Sequence, residues 1–502
     1  MQLKCRRGSR ILPVLAAAAL TAPAGCDLNP SLAPPERTKP LAGRTVRVAC
    51  PDPVMRQILE RHGRIWSAET GATLAVEDVP FADAPSCDLG VIAPVDFARL
   101  AEAGQLEPVP PRLQEPGPPY HWSTVLPVYR DKLLAWGREV LALPVVGEGR
   151  VFVYRSDLFA DRAHRDAFRE KHGRDLAPPV TWEDVEACAA YFTEALGRPA
   201  LPPLPAGAEA LEQAFFTVAA PYDRQEFAKS ELIEMSRSEE QAAALFSFHY
   251  DLQTVQPRLT APAFVHALEW FRRTRPYRPP QPADDPSGAF RDGTAVMGVV
   301  PLAALAEFQA EGSEVRDRFG IARLPGAEFY FEYRTGRKTP LRRTNHMPYL
   351  GGGGWLGVVR KGSPEAEAAF DLLAYLGTPE TSAEIVSNPA WGAGPTRSTH
   401  TDTSNRGYWL GYRLDEERTG QLLEALRAQN PTALGNPVAR LRTPTAPEHI
   451  RALAEVLRPA ITEGGDALAA LREAKAAWRK LDEPLPEGEL RRLYRLSLSL
   501  ER

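Results

Sequence analysis

Between residues 44 and 104 short apolar runs alternate with amphipathic stretches, and that alternation restricts the fold more than any other feature. Thr45–Ala49 reads as a strand and stops at Pro51-Asp52-Pro53. Val54, Met55, Ile58, Leu59, Ile65 and Trp66 then recur at helical spacing until Gly71. Ala72–Glu77 and Leu89–Ala93 are further apolar strands, and Phe97–Ala103 is a short helix before Gly104. Strands joined through helices pair in parallel, with the helices covering the faces of the sheet. The expected class is α/β, built of mainly parallel sheets flanked by helices.

The pattern resumes downstream. Val151–Tyr154 is a strand, Trp182–Glu194 and Phe264–Arg272 are helices, and Phe290–Pro301 is a turn entering a buried strand. Gly351–Gly354 precedes the strand Trp355–Val359, and Ala366–Leu376 is a helix with Ala369, Phe370, Leu373 and Leu376 on its inner face. Leu468, Leu471, Trp478 and Leu481 form a core-facing stripe. A chain of 502 residues can supply two or three domains or one discontinuous pair of lobes.

The N-terminus indicates a compartment. Lys4, Arg6, Arg7 and Arg10 precede the weakly polar stretch 11–25, which ends in small residues just before Cys26. This is the layout of an export signal, too short to span a bilayer. Ala24-Gly25-Cys26 resembles the end of a bacterial lipobox, with Pro23 where an aliphatic residue is usual. That resemblance makes Cys26 the lipid attachment point; simple secretion with cleavage near Ala24 is the alternative. Residues 27–43 hold four prolines and read as an extended tether.

Net charge is −4, and removing a leader with four cations and no acids would leave −8. Such a body lacks the basic footprint that nucleic-acid binding requires. Cys50, Cys87 and Cys188 show no CxxC and no metal spacing. Cys50 ends one strand and Cys87 begins another, so in a parallel pair they stand at opposite ends of the sheet, out of bridging reach. All three are expected to be buried as small apolar residues. No metal and no cofactor is expected.

The order of motifs resembles the family 1 extracellular solute-binding proteins. The residues that carry the resemblance are Glu69-Thr70-Gly71, Asp88–Ile92, Ala103–Pro108, Ala142–Leu158, Pro179–Asp184, Phe290–Met297 and Gly392–Arg397. The resemblance implies the type II periplasmic-binding-protein fold, with two α/β lobes joined by hinge crossings around a ligand cleft. Carried onto this chain, it places the first lobe at 44–143 and 355–391 and the second at 147–350 and 394–490. Pro144, Gly147, Gly353, Gly354 and Gly394 would then serve the hinges. It further implies capture of a small molecule, a carbohydrate or related polyol, for the permease subunits of an ABC importer. The protein would be a monomeric, non-enzymatic receptor in the periplasm or another extracytoplasmic space, held on the membrane by its lipid anchor.

Ligands of such folds lie beyond the carboxyl ends of strands and between lobes. That rule nominates Asp52, Asp96, Glu148, Trp355 and Trp391, with Arg397 as a holder of a ligand oxygen. Carboxylates accept hydroxyl hydrogens, and aromatic faces pack the C–H patches of a sugar. Glu148 is the strongest nominee, because it follows the first crossing and aligns with a ligand-contacting glutamate of the maltodextrin-binding members. Asp52 and Asp96 could instead cap the helices beside them, and Arg397 could form an ion pair at a lobe edge. Ile92 and Leu302 stand where those members carry cleft tryptophans, so their stacking platform is not expected here. The competing readings are a secreted hydrolase, for which no GxSxG or HExxH motif is present, and the same fold used as a ligand sensor.

Overall fold

The computed structural model describes residues 39–235 and 237–500. The export signal, Cys26 and residues 27–38 of the tether lie outside the described residues.

The first sheet has five strands in the order Thr73–Glu77, Thr45–Ala49, Leu89–Ile92, Trp355–Val359, Leu143–Val146. The first three are parallel, paired Thr45 to Thr73 and Val48 to Leu89. Trp355–Val359 runs antiparallel to both of its neighbours. Pro144 lies opposite Leu356 in the outermost strand, the position where a missing N–H is tolerated. Behind the first strand, Pro53–Thr70 is one helix, capped by Asp52 and closed by Gly71 at φ 82°. It buries Met55, Ile58, Leu59 and Trp66, and the Trp66 indole donates to Asp371 at 2.7 Å. Ile65, expected on that apolar face, is 44% exposed. Cys50, Cys87 and Cys188 are free and buried.

The second sheet has three strands, with Arg150–Arg155 between Met297–Pro301 and Phe319–Ala322. It departs from the parallel expectation, since its central strand runs antiparallel to both neighbours. That strand enters directly from the first lobe, after a three-residue link from Val146. Both of its faces are covered. Phe152 packs into a core with Trp182, Phe215 and Phe264, whereas Val151 and Val153 join a cluster that continues through Leu302 and Ala393 into the first lobe. Trp182 follows the N-cap of a helix closed by the reciprocal Thr181–Asp184 capping box, and it meets Trp270 edge to face at 5.1 Å.

Three crossings meet between the sheets. Gly147 and Gly394 exchange both backbone hydrogen bonds at 2.9 Å, and Gly354 adopts φ 89°. A Cβ on Gly394 would lie 2.1 Å from the Glu148 carbonyl carbon, so glycine is obligatory there. Gly353 is different. Its added Cβ would find ordinary room, 3.5 Å from the Glu148 side chain. Nor does the chain commit to the second lobe at 394. Arg397 still lies against Thr124 and Tyr120. The second sheet is reached only by the helix Glu416–Gln429, where Arg418 donates to the Phe319 carbonyl at 2.7 Å and Gln421 accepts from the Ile321 N–H at 2.9 Å. The C-terminal helix Glu487–Ser497 spans both lobes. Its Leu496 carbonyl accepts from Gly137 at 3.1 Å, and its Tyr494 hydroxyl from Phe248 at 3.3 Å.

Gly394→Ala is therefore expected to destabilise the protein by about 1–3 kcal/mol through forced overpacking. Gly407→Ala, where nothing lies within 4 Å of the added carbon, should leave the melting temperature unchanged. Equal melting of the two variants would show that the crossing relaxes freely.

Candidate functional site between the lobes

Glu148 stands at the waist of the molecule with a carboxylate that is already occupied. Its Oε1 accepts from Arg150 Nε at 2.7 Å and Gln213 Nε2 at 2.6 Å. Its Oε2 accepts from the backbone N–H groups of Gly351 and Gly352, both at 3.0 Å. The backbone N–H of Glu148 donates to the Tyr129 hydroxyl at 3.0 Å. With the side chain only 9% exposed, Glu148 is a cross-tie between two crossings and not the free acceptor expected from its position.

A second charged cluster lies beside it. The guanidinium of Arg440 donates to Glu212 at 3.0 Å, to Glu209 at 2.9 Å and to the Gly352 carbonyl at 3.4 Å. Glu212 is fully buried and also accepts from the Tyr349 hydroxyl. Burial works against the Arg440 charge, but Glu212, Tyr349 and Glu209 outweigh it and hold the pKa above its ordinary value. Glu209 lies within electrostatic reach of Asp96 on the other lobe. Burial, opposed by Arg99 and reinforced by Glu209, raises the Asp96 pKa above 3.8. Asp96 lies in the first turn of the helix Pro94–Glu102, 3.2 Å from Arg99, and is not its N-cap. The neighbouring Val95 packs in the core of the second lobe, so the lobes touch at this point.

The other nominees separate. Asp52 caps its helix, its Oδ1 accepting from Met55 at 2.8 Å. Trp355 is partly buried at the start of its strand, opposite Val146. Trp391 does not join the Glu148 group. It meets His62 edge to face at 5.7 Å and lies under Arg61, ten residues and roughly 15 Å of helix beyond the Asp52 cap. Arg397 is 1% exposed, donates to the His121 carbonyl at 3.1 Å, the Thr124 hydroxyl at 2.6 Å and the Gly377 carbonyl, and covers the Tyr120 ring. It holds first-lobe backbone in place and forms neither the ligand contact nor the ion pair that the sequence left open.

Glu209, Gln213 and Arg440 are absent from the sequence nomination. No local signal marks them, since Arg440 is 228 residues away from Glu212. Behind Arg150, Gln213 and Thr217 a cavity of about 330 Å³ extends into the second lobe, bounded by Trp182, Trp270 and Arg278 at its far side.

Two α/β lobes, joined by closely packed crossings with opposed polar groups between them, define a two-lobed periplasmic binding protein of type II. Over residues 75–405 the sequence matches the bacterial extracellular solute-binding proteins, and the chain belongs to that family. Solved structures share the fold at low identity. Maltose-bound MalE3 of T. maritima is 16% identical, covering 87% of this chain and 99% of that one, with a TM-score of 0.61. An ABC transporter solute-binding protein from Agrobacterium radiobacter K84, in complex with ribitol, is 18% identical over 88% and 100% of the two chains, with a TM-score of 0.62. The sugar-binding protein MalE of Xanthomonas citri is 17% identical over 88% and 100%, with a TM-score of 0.61.

Two outcomes follow from this geometry. Glu148→Ala leaves Arg150 and two glycine N–H groups without their acceptor, so unfolding should become easier by about 3–5 kcal/mol, with Glu148→Gln intermediate; a melting curve equal to the parent's would refute the cross-tie. For Asp96, the folded state holds its proton more tightly than the unfolded chain. The contribution to stability is therefore full below pH 3.8 and declines as pH rises through the raised value. Asp96→Asn should melt above the parent at neutral pH, with the difference shrinking as pH falls toward 4. A pH-independent difference would remove the cross-gap repulsion from the account.

Proposed function

We propose that this chain is the ligand-capturing receptor of an ABC importer, that its ligand is a sugar or polyol, and that Cys26 anchors it to a membrane outside the cytoplasm. Membership of the extracellular solute-binding family carries this reading. Structures sharing its fold contain maltose, ribitol and α-D-tagatose. The groups facing the gap suit such ligands: Asp96 from the first lobe and Glu209 from the second are acceptors for hydroxyl hydrogens. Asp52 and Trp355 border the same end of the first sheet and would complete the first-lobe side. The lobes, taken as 44–143 with 355–391 and 147–350 with the chain from Glu416 onward, would close by rotation about Gly147, Gly354 and Gly394. The chain binds and hands on its ligand without chemical change.

The test is a thermal-shift screen of maltose, ribitol, D-mannitol and D-tagatose, followed by small-angle scattering with the best ligand. A ligand at about 100 times its dissociation constant should add roughly 2.7 kcal/mol of stability, and the radius of gyration should fall on binding. No stabilisation by any of the four overturns the sugar reading. Cys26→Ser is expected to move the protein from the membrane to the soluble fraction of cells, and an unchanged membrane fraction would refute the anchor.

A further inference from the structure

The cavity in the second lobe has a largely apolar wall and two cations, Arg150, which is paired with Glu148, and Arg278. Phe152 and Val300 come from the sheet, Trp182 and Trp270 from two helices, and the Leu201–Pro205 loop closes one side. Arg278 borders this space. It donates to the Pro202 carbonyl at 3.0 Å and lies 5.7 Å and 5.8 Å from the Trp270 and Phe271 rings. Its Nε has no hydrogen-bond partner, and no carboxylate pairs with it among the described residues. Its side chain is part-buried, and that burial together with the neighbouring Arg275 pushes its pKa down to about 10. Asp284 and Asp285 also border the cavity, but both are exposed. Asp285 accepts from the Ser287 N–H at 3.0 Å and its hydroxyl at 2.7 Å.

A desolvated guanidinium in an apolar wall is unfavourable alone and becomes favourable when a carboxylate meets its planar fork. We propose that this cavity is a binding pocket for a small organic carboxylate with an apolar ring or chain, anchored by Arg278 and packed on the apolar wall. A volume of about 330 Å³ falls at the lower end of ordinary ligand pockets and suits one ring with a short acidic arm. Arg150 and Gln213, which hold Glu148 at the waist, also border the cavity, but its anchor Arg278 is distinct from Asp96 and Glu209, and the proposal does not depend on the sugar reading.

Calorimetric titration of the intact protein with matched acids and amides tests this. The probes are 3-phenylpropionate against 3-phenylpropionamide, and cyclohexanecarboxylate against its amide. The acids should bind at least about 10-fold tighter than the amides. Arg278→Gln should erase that difference, and Ala214→Phe, which fills the cavity from the helix Ala208–Asp223, should abolish binding of both. Should Arg278→Gln fail to fold, the acid–amide difference in the unaltered protein and its loss in Ala214→Phe decide the matter. Equal binding of acid and amide, or no binding of either acid, overturns the proposal. Acids that bind where the four sugars and polyols do not would leave the pocket standing and remove the sugar reading; the reverse result removes the pocket alone.

Discussion

The carboxylate of Glu148 carries the organisation of the waist. Residues 351–352 leave regular structure, so their backbone N–H groups have no ladder partners and must find acceptors elsewhere. Glu148 supplies one oxygen to both, and its other oxygen ties Arg150 and Gln213 of the second lobe into the same knot. Arg440 holds the other polarity of that segment. Its guanidinium reaches the Gly352 carbonyl, and its own N–H donates to the Leu350 carbonyl at 2.7 Å. The crossing at 350–352 is thus clamped by an anion on its donors and a cation on its acceptors. Beside the clamp stand the Gly147–Gly394 bridge and Gly354, where the backbone is already in the left-handed region and a proposed closure of the lobes would be absorbed.

What could be read from the sequence divides along the same line. The first sheet was legible because its signals are local: alternation, an N-cap, a glycine stop. The separation of Cys50 from Cys87 was legible for the same reason. The location of Glu148 could be inferred, but not its chemistry, because its donors lie 65 and 203 residues further along the chain. Arg397 and Trp391 show the converse error. Each sits in a motif that marks a crossing, yet one is consumed by first-lobe carbonyls and the other by the helix Pro53–Thr70. A motif fixes the path of the backbone more firmly than the direction of a side chain.

Leu302 shows how the recognition surface differs from that of the maltodextrin-binding members. It is fully buried, and a Cβ on Gly149 would meet it at 2.3 Å. The position therefore packs the crossing against the second lobe and presents no ring to the gap. Pro301, just before it, is exposed and borders the second-lobe cavity. Trp182 and Trp270 lie in the second-lobe core and border that cavity.

The gap itself is governed by like charges. Asp96 and Glu209 approach from opposite lobes, each with one arginine beside it, Arg99 at 3.2 Å and Arg440 at 2.9 Å. Bringing the lobes together without a ligand presses two carboxylates toward each other in a region losing its water, where repulsion grows as the local dielectric falls. A neutral ligand whose hydroxyls donate to both would convert that repulsion into two charge-assisted hydrogen bonds. A ligand shifts a conformational equilibrium only by the difference in its affinity for the two states. Donors shared between Asp96 and Glu209 act in the closed state alone, and that is the differential interaction by which occupancy of the gap would be coupled to closure.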